Sequence, residues 1–487
     1  MKRSLKNIPP VFTSHAVGQK RVLLAKSEAG CDLTQVAVTD LKAGEVALAH
    51  IHPDMQEGFY VLEGELEVTL SGEGNTGEYV ERCHKDDFVY VESGTAHELH
   101  AITDVRVMTI GCEVESKRNR LYPFIFKPNL HAVIWGGSRI KPWKRMDFAP
   151  QDSSSRGDAE NPAGEVSEAP IGESWEVSAV PSSPSIIDNG CWTGQSLIDV
   201  ISQMPREILG RSVAQKYGNK LPLLVKFIDA DKDLSIQVHP DDKMALREHN
   251  KFGKTEMWYV IDAKPGAYLY AGFKEELTPE QYKQKVADGT IVDALARHEV
   301  KAGDVFYIPA GRVHAIGGGI LLAEVQQSSD VTYRIYDYDR PGMDGKPREL
   351  HTELAAQALD YKVYDEYRTN YVVRESAANH CIDSPFFNVR VVDIDQRFHR
   401  NLVKYDSFAI TMCLKGSCRI KIRSTQDEVI LHEGNSCLIP ALIADYDVEP
   451  IGGHSLLLDA VIDNRKQSNS PTEDGLLKRI SRILHIR

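Results

Sequence analysis

Short apolar runs closed by Gly- or Pro-containing turns recur along much of the chain. The stretch "GDVFYIPAGRVH" (303–314) opens on a Gly-Asp turn, runs through apolar residues, turns again at Pro-Ala-Gly and presents one histidine. Two further stretches share this layout, "DDFVYVESGTAH" (86–97) and "GNSCLIPALIAD" (434–445). Upstream of each lies a strand pair around a glycine: "EGFYVLEGELEVTL" (57–70), "EMWYVIDAKPGAYLY" (256–270) and "FAITMCLKGSCRIKI" (408–422). Strands of this length with Gly-rich turns predict small antiparallel barrels. The chain therefore reads as mainly β, with three barrel units over 1–118, 119–362 and 363–463 and a tail over 464–487.

Helical spacing appears in two insertions of the middle unit. "SLIDVISQMPREILGRSVAQKYG" (196–218) is interrupted by Pro205, and "TPEQYKQKVADGTIVDALARH" (278–298) starts on Thr-Pro and breaks at Gly289. Both are expected to pack as walls of the middle unit's site. The segment 147–170 is polar and rich in Ser, Pro and Gly, which predicts a loop. After a linker at 464–474, "GLLKRISRILHIR" (475–487) carries Leu476, Leu477, Ile480, Ile483 and Leu484 on one helical stripe, with Lys478, Arg479, Arg482 and Arg487 opposite. Docking on the chain's own domains or on a second subunit is the expected role of this helix, ahead of a membrane surface.

At 487 residues the chain is too long for one core, in line with several units. A net charge of −13 argues against nonspecific nucleic-acid binding. No apolar run reaches transmembrane length, and the start "MKRSLKNIPPVF" lacks the apolar core of a signal peptide. The eight cysteines are scattered and form no C-x-x-C pair, so neither a disulfide framework nor a thiolate zinc site is indicated. The cytoplasm is the expected compartment, with no nucleic-acid or membrane partner and a homo-oligomer left open.

The candidate chemistry lies at the turns. The first unit has His50-x-His52 and Glu57 between Gly44 and Gly64, and His97 in the later motif at 86–97. Alternate residues of a strand share a face, so H-x-H aims two imidazoles into the interior, where a carboxylate and a third histidine complete a ligand set. In the middle unit Gln237 and His239 are two apart in "LSIQVHPDD", Glu256 follows in "GKTEMWYVI", and His314 closes the set. Imidazole and carboxylate donors suit zinc, iron, manganese or nickel. These spacings resemble the cupin motifs, with two departures: Asp86 stands in the glycine place of the first unit and Glu92 in its proline place. The third unit keeps Gly434 and Pro440 but has Asp445 at the histidine place and no H-x-H, which predicts a barrel without a metal.

Between Leu121 and Lys362 the resemblance narrows. "YPFIFKPNLHAVIWGG", "IGESWEVSA", "LSIQVHPDD", "GKTEMWYVI", "IPAGRVHAIGGG" and "SSDVTYRIYDYDR" follow one another in the order found in type I mannose-6-phosphate isomerases. The resemblance implies a zinc enzyme interconverting mannose 6-phosphate and fructose 6-phosphate, with one Zn2+ held by Gln237, His239, Glu256 and His314. It places Arg334 at the family's active-site arginine and Lys254 and Glu324 on positions lining the pocket.

Such an isomerisation moves a proton between C1 and C2 and must stabilise charge on the carbonyl oxygen as the proton leaves. Asp330, Glu324, Lys254 or a water on the metal are the candidate proton carriers. Arg334 suits either the phosphate or the developing oxyanion. The set His50, His52, Glu57 and His97 is a separate candidate site for a second divalent metal in an accessory unit. The competing readings are a non-catalytic multi-cupin sugar sensor and a bifunctional enzyme with a second metal-dependent activity.

Overall fold

A computed structural model of the chain describes residues 3–13, 17–25, 28, 33–71, 78–113, 121–146 and 170–463. The loop expected at 147–170 (save Pro170) and the whole tail 464–487 lie outside these residues. The first unit pairs a six-stranded with a four-stranded antiparallel sheet, and the middle unit pairs a six-stranded with a five-stranded one. The third is built on a single eight-stranded sheet. Among the described residues no sheet closes on itself; in the first and middle units two sheets make up the jelly roll.

Strand alternation sets the layers of the middle unit. Trp258, Leu269, Ile316 and Leu322 meet in the core between its two sheets. Met257, Tyr259, Val225 and Phe227 point the other way, into a second core shared with the third unit. The insertion at 196–218 folds as three short helices, Leu197–Gln203, Pro205–Leu209 and Arg211–Tyr217. They bury Leu197, Val200, Ile208 and Val213 in that same shared core. The helix Pro279–Ala287, closed by a capping box on Thr278, buries Tyr282 against the outer face of the five-stranded sheet. Both insertions thus cover outer sheet faces instead of walling the interior, because their apolar stripes match the outward-pointing rows.

Two features depart from the linear reading of the chain. The strand Phe124–Ile125, early in the middle segment, joins the third unit's sheet by pairing with Leu438 and Cys437. Asp86 adopts φ 76°, the left-handed turn conformation that Gly303 (φ 89°) and Gly434 (φ 79°) take at the matching places. The turn is therefore kept in the first unit at the conformational cost of a non-glycine residue.

Candidate metal centres and the pocket around them

The strand Ile236–Val238 runs between His314–Ile316 and Tyr333–Tyr336, with Gln237 in register with both His314 and Arg334. Residues directly opposite in antiparallel strands share a face, so the sequence-distant His314, Gln237 and Arg334 form one row. From the facing sheet Glu256 enters at the start of Glu256–Ala263. Gly311 fixes the geometry of the turn: at φ 90° its N–H donates to the carbonyl of His239 at 2.9 Å.

The nitrogens are oriented before any ligand arrives. His314 Nδ1 donates to the Arg312 carbonyl at 2.8 Å and His239 Nδ1 to the Val331 carbonyl at 3.0 Å. Each ring therefore turns its Nε2 lone pair inward. Those nitrogens stand 3.0 Å (His314) and 3.3 Å (His239) from Glu256 Oε1. The three ligand atoms lie within 4.8 Å of one another. Gln237 adds its amide, 3.3 Å from His314 Nε2, and a half-turn about its last bond exchanges nitrogen for oxygen there.

His239 Nε2 and both Glu256 oxygens are fully buried without a hydrogen bond. Converging acceptors left without a hydrogen bond are costly in a buried site, and a divalent cation resolves that cost. The residues present fit a metal. Burial, with Lys254 adding to it, lowers the His239 pKa to about 3 and keeps the ring a neutral ligand. Burial alone would raise the Glu256 carboxyl, but Lys254 and the two histidines more than offset it and hold the group well below its usual range.

A second row continues on the six-stranded sheet, where Trp258 is in register with Glu324, Glu324 with Lys226, and Lys226 with Trp175. Trp258 Nε1 donates to Glu324 Oε2 at 3.0 Å. Lys226 Nζ lies 3.5 Å from both Glu324 and Glu173 and 4.9 Å from the centre of the Trp175 ring. Burial and the neighbouring Glu256 charge push the Glu324 carboxyl up to about 7, against the pull of Lys226 and Lys254. Lys254 Nζ stands 3.4 Å from Glu256 Oε2.

Of the residues singled out from the sequence, the fold gathers Gln237, His239, Glu256, His314 and Lys254 at one point, with Arg334 and Glu324 on the adjoining rows. Arg334 is half-buried and donates through Nη1 to the Glu349 carbonyl at 3.0 Å, with its Nε unpartnered. Asp330 is not gathered in. It lies at the surface, paired with Lys251 at 2.5 Å, because it sits in the turn before the strand that carries Arg334. Lys226, Glu173 and Trp175 were missed. Their signal was a lone lysine inside the otherwise apolar "LLVKFI", a strand buried along its whole length.

In the first unit His50, His52, Glu57 and His97 bring their ligand atoms within 4.8 Å of one another. His52 Nε2 and His97 Nε2 face Glu57 Oε2 at 3.1 and 3.3 Å. His97 Nε2 is buried and unbonded, and Nδ1 of His50 and of His97 is taken up by the carbonyls of Leu48 and Thr95. Burial would raise Glu57, but His52 and His97 hold it well below the usual carboxylate range. These residues also fit a cation. In the third unit the corresponding Asp445 accepts from His399 at 2.7 Å, and Arg400 pairs with Asp459 at 2.9 Å in the interior.

The chain matches the family model of the phosphomannose isomerase type I catalytic domain over residues 124–278 and that of the mannose-6-phosphate isomerase cupin domain over 377–453. A general cupin domain model matches 37–111. A mannose-6-phosphate isomerase of Streptococcus mutans is 33% identical over 338 residues, covering 68% of this chain and 98% of the relative. Mannose-6-phosphate isomerase ManA of Bacillus subtilis is 38% identical over 248 residues, 51% of this chain and 71% of the relative. A crystal structure of a mannose 6-phosphate isomerase from Bacillus subtilis superposes with a TM-score of 0.59 at 30% identity, over 70% of this chain and 99% of that one.

Proposed function

Because the chain belongs to the family of mannose-6-phosphate isomerases, we propose that its middle unit interconverts mannose 6-phosphate and fructose 6-phosphate with a zinc ion held by Gln237, His239, Glu256 and His314. The observation that carries this reading is the convergence of buried, unbonded ligand atoms on His239 and Glu256, faced by His314, beside a carboxyl poised near neutrality. A bound zinc supplies Lewis acidity toward the sugar's carbonyl and hydroxyl oxygens.

The remaining work falls to the chain's own residues. Glu324 takes the proton from one carbon and returns it to the other, since a carboxyl near pH 7 is populated in both forms at the working pH. Trp258 fixes the carboxyl through Oε2 and leaves Oε1, buried and without a hydrogen bond, as the working atom. Lys226 remains charged, because Glu173, Glu324 and Glu256 outweigh its burial, and it steadies the ionised form of Glu324. Arg334, in register with Gln237, presents a guanidinium to the phosphate or to charge developing on the sugar oxygens. Sugar phosphates are charged and do not cross membranes, which places the enzyme in the cytoplasm with its substrate. No helix among the described residues is long and apolar enough to span a membrane.

The first unit binds a second divalent cation through His50, His52, Glu57 and His97, as an accessory to the isomerase. The test of the main reading is fructose 6-phosphate formation from mannose 6-phosphate by protein stripped with chelator and then restored with zinc. Activity lost on stripping and regained with zinc is expected. No turnover in the zinc-restored protein, with the metal confirmed bound, would overturn it.

A further inference from the structure

The metal-bearing end of the first unit is also the end docked on the rest of the molecule, and the contacts fall on neighbours of its ligand residues. Ser71 Oγ accepts from the N–H of Ala96 at 3.2 Å, one residue before His97, and Ser71 N–H returns to the Ala96 carbonyl at 2.9 Å. Arg211 reaches across with Nη1 3.4 Å from that same Ser71 Oγ and Nη2 3.2 Å from the Gly94 carbonyl. Gly94 N–H in turn donates to the carbonyl of His52 at 2.9 Å. Next to His50, the Ala49 carbonyl accepts from Asn401 Nδ2, and Lys404 pairs with Glu98 at 3.2 Å.

The far side of this contact is equally fixed. Arg211 begins the helix Arg211–Tyr217, and Asp406 of the third unit accepts from the N–H of Arg211 at 2.9 Å and of Ser212 at 2.8 Å. A side chain at Gly210 would meet the Asp406 carbonyl at 2.1 Å, so helix start and turn are packed backbone to backbone. Val213 and Tyr217 of this helix are buried in the core that holds Val225, Phe227 and Met257, the chain neighbours of Lys226 and Glu256.

We propose that metal loading of the first unit is coupled to its docking on the isomerase body, with Arg211 as the positioning residue that links the two. The proposal rests on the second-metal reading above. A cation drawing His52 and His97 into one ligand set fixes the turn 92–97, which carries the Gly94 carbonyl and holds Ser71 Oγ through the Ala96 N–H. Docking in turn holds that turn in its metal-binding shape. Linkage makes the two effects equal in size.

The experiment uses the full chain, chelator-stripped and then loaded with zinc, with metal content counted and amide hydrogen exchange followed over 205–217. Wild type is compared with His97→Ala, which leaves only the middle site, and with Arg211→Ala and Arg211→Lys. Wild type is expected to bind two ions per chain and to slow exchange in 205–217 by about 5- to 150-fold, the usual range of coupling between sites. His97→Ala is expected to bind one ion and show no such slowing beyond what the middle site gives. The Arg211 variants should keep two ions, lose most of the slowing, and bind the first-unit ion more weakly by the same factor. His52→Gln replaces His97→Ala as the reference if that protein does not fold, and Arg211→Lys serves likewise for Arg211→Ala.

Two ions in wild type with exchange in 205–217 unchanged from the one-ion reference would overturn the coupling and leave the second site standing. One ion in wild type would overturn the second site and the coupling with it.

Discussion

Replacing Glu324 by glutamine separates its chemistry from its cost to the fold. The amide keeps the side-chain volume and an oxygen for Trp258 Nε1 but cannot carry a proton. Loss of a positioned acid–base group costs about 10²- to 10⁴-fold in rate, or about 3–5 kcal/mol in the barrier. The same variant should gain stability. Glu324 titrates near 7 in the folded chain against 4.5 for the free side chain, so its ionised form is disfavoured by folding. At about 1.4 kcal/mol per unit the penalty reaches about 3 kcal/mol.

The sign follows from the raised value. Below pH 4.5 the group is protonated in both states and the penalty is absent. It grows as pH rises through that window and is complete above about 7. Urea unfolding of metal-free protein should therefore show wild type losing stability between pH 5 and 8 relative to E324Q, while Lys226 stays paired with Glu173 in both. Turnover of the zinc-restored proteins, followed from mannose 6-phosphate across the same pH range, should show the neutral limb of the wild-type profile missing from E324Q. Unreduced kcat/KM in E324Q, or stability curves that run parallel across this range, would refute the assignment.

Three further predictions follow from the site and its supports. His314→Ala removes a buried ligand and should abolish both zinc retention in the middle unit and turnover, read by metal analysis of the purified protein beside the coupled assay. Arg334→Ala should leave the zinc content unchanged while cutting kcat/KM by at least about 100-fold, as for loss of a charged group that acts in the transition state; unchanged kinetics would remove Arg334 from the site. Lys144→Met leaves Glu176 buried without its cation, a pair now at 2.7 Å with both side chains about 95% buried, and should cost about 3–5 kcal/mol in urea unfolding. The double variant K144M/E176L should recover most of that loss.

What the sequence disclosed about the site was whatever lies within a few residues of a strand motif. His50-x-His52 and Gln237-x-His239 declare themselves because a period of two puts both donors on one face, and Glu256 and His314 follow at turns marked by glycine and proline. Lys226 stayed hidden because a single charge in an apolar strand has no partner in the local pattern, and Glu173 because its own strand, IGESWEV, offers no cation. Their pairing exists only once 173, 226 and 324 lie on adjacent strands. Asp330 misled for the converse reason: its spacing from Arg334 is local, but a turn intervenes and sends it outward to Lys251. The repeated turns at 86–97, 303–314 and 434–445, each in a different set of sheets, were legible. That Phe124–Ile125 belongs to the last sheet was not, since strand partnership across such a distance leaves no periodic trace.

That two-residue strand bears on how the molecule is made. The chain emerges from the ribosome amino-terminus first, and residues 37–111, which match a cupin domain model, are out before the rest. Phe124 then waits for Leu438, about 310 residues later. At ordinary elongation rates that interval is roughly 15 to 60 s. Throughout it, the pairing edge at 124–125 lacks its partner strand, and the shared core lacks the part that the third unit supplies. The isomerase body is therefore finished by its last sheet.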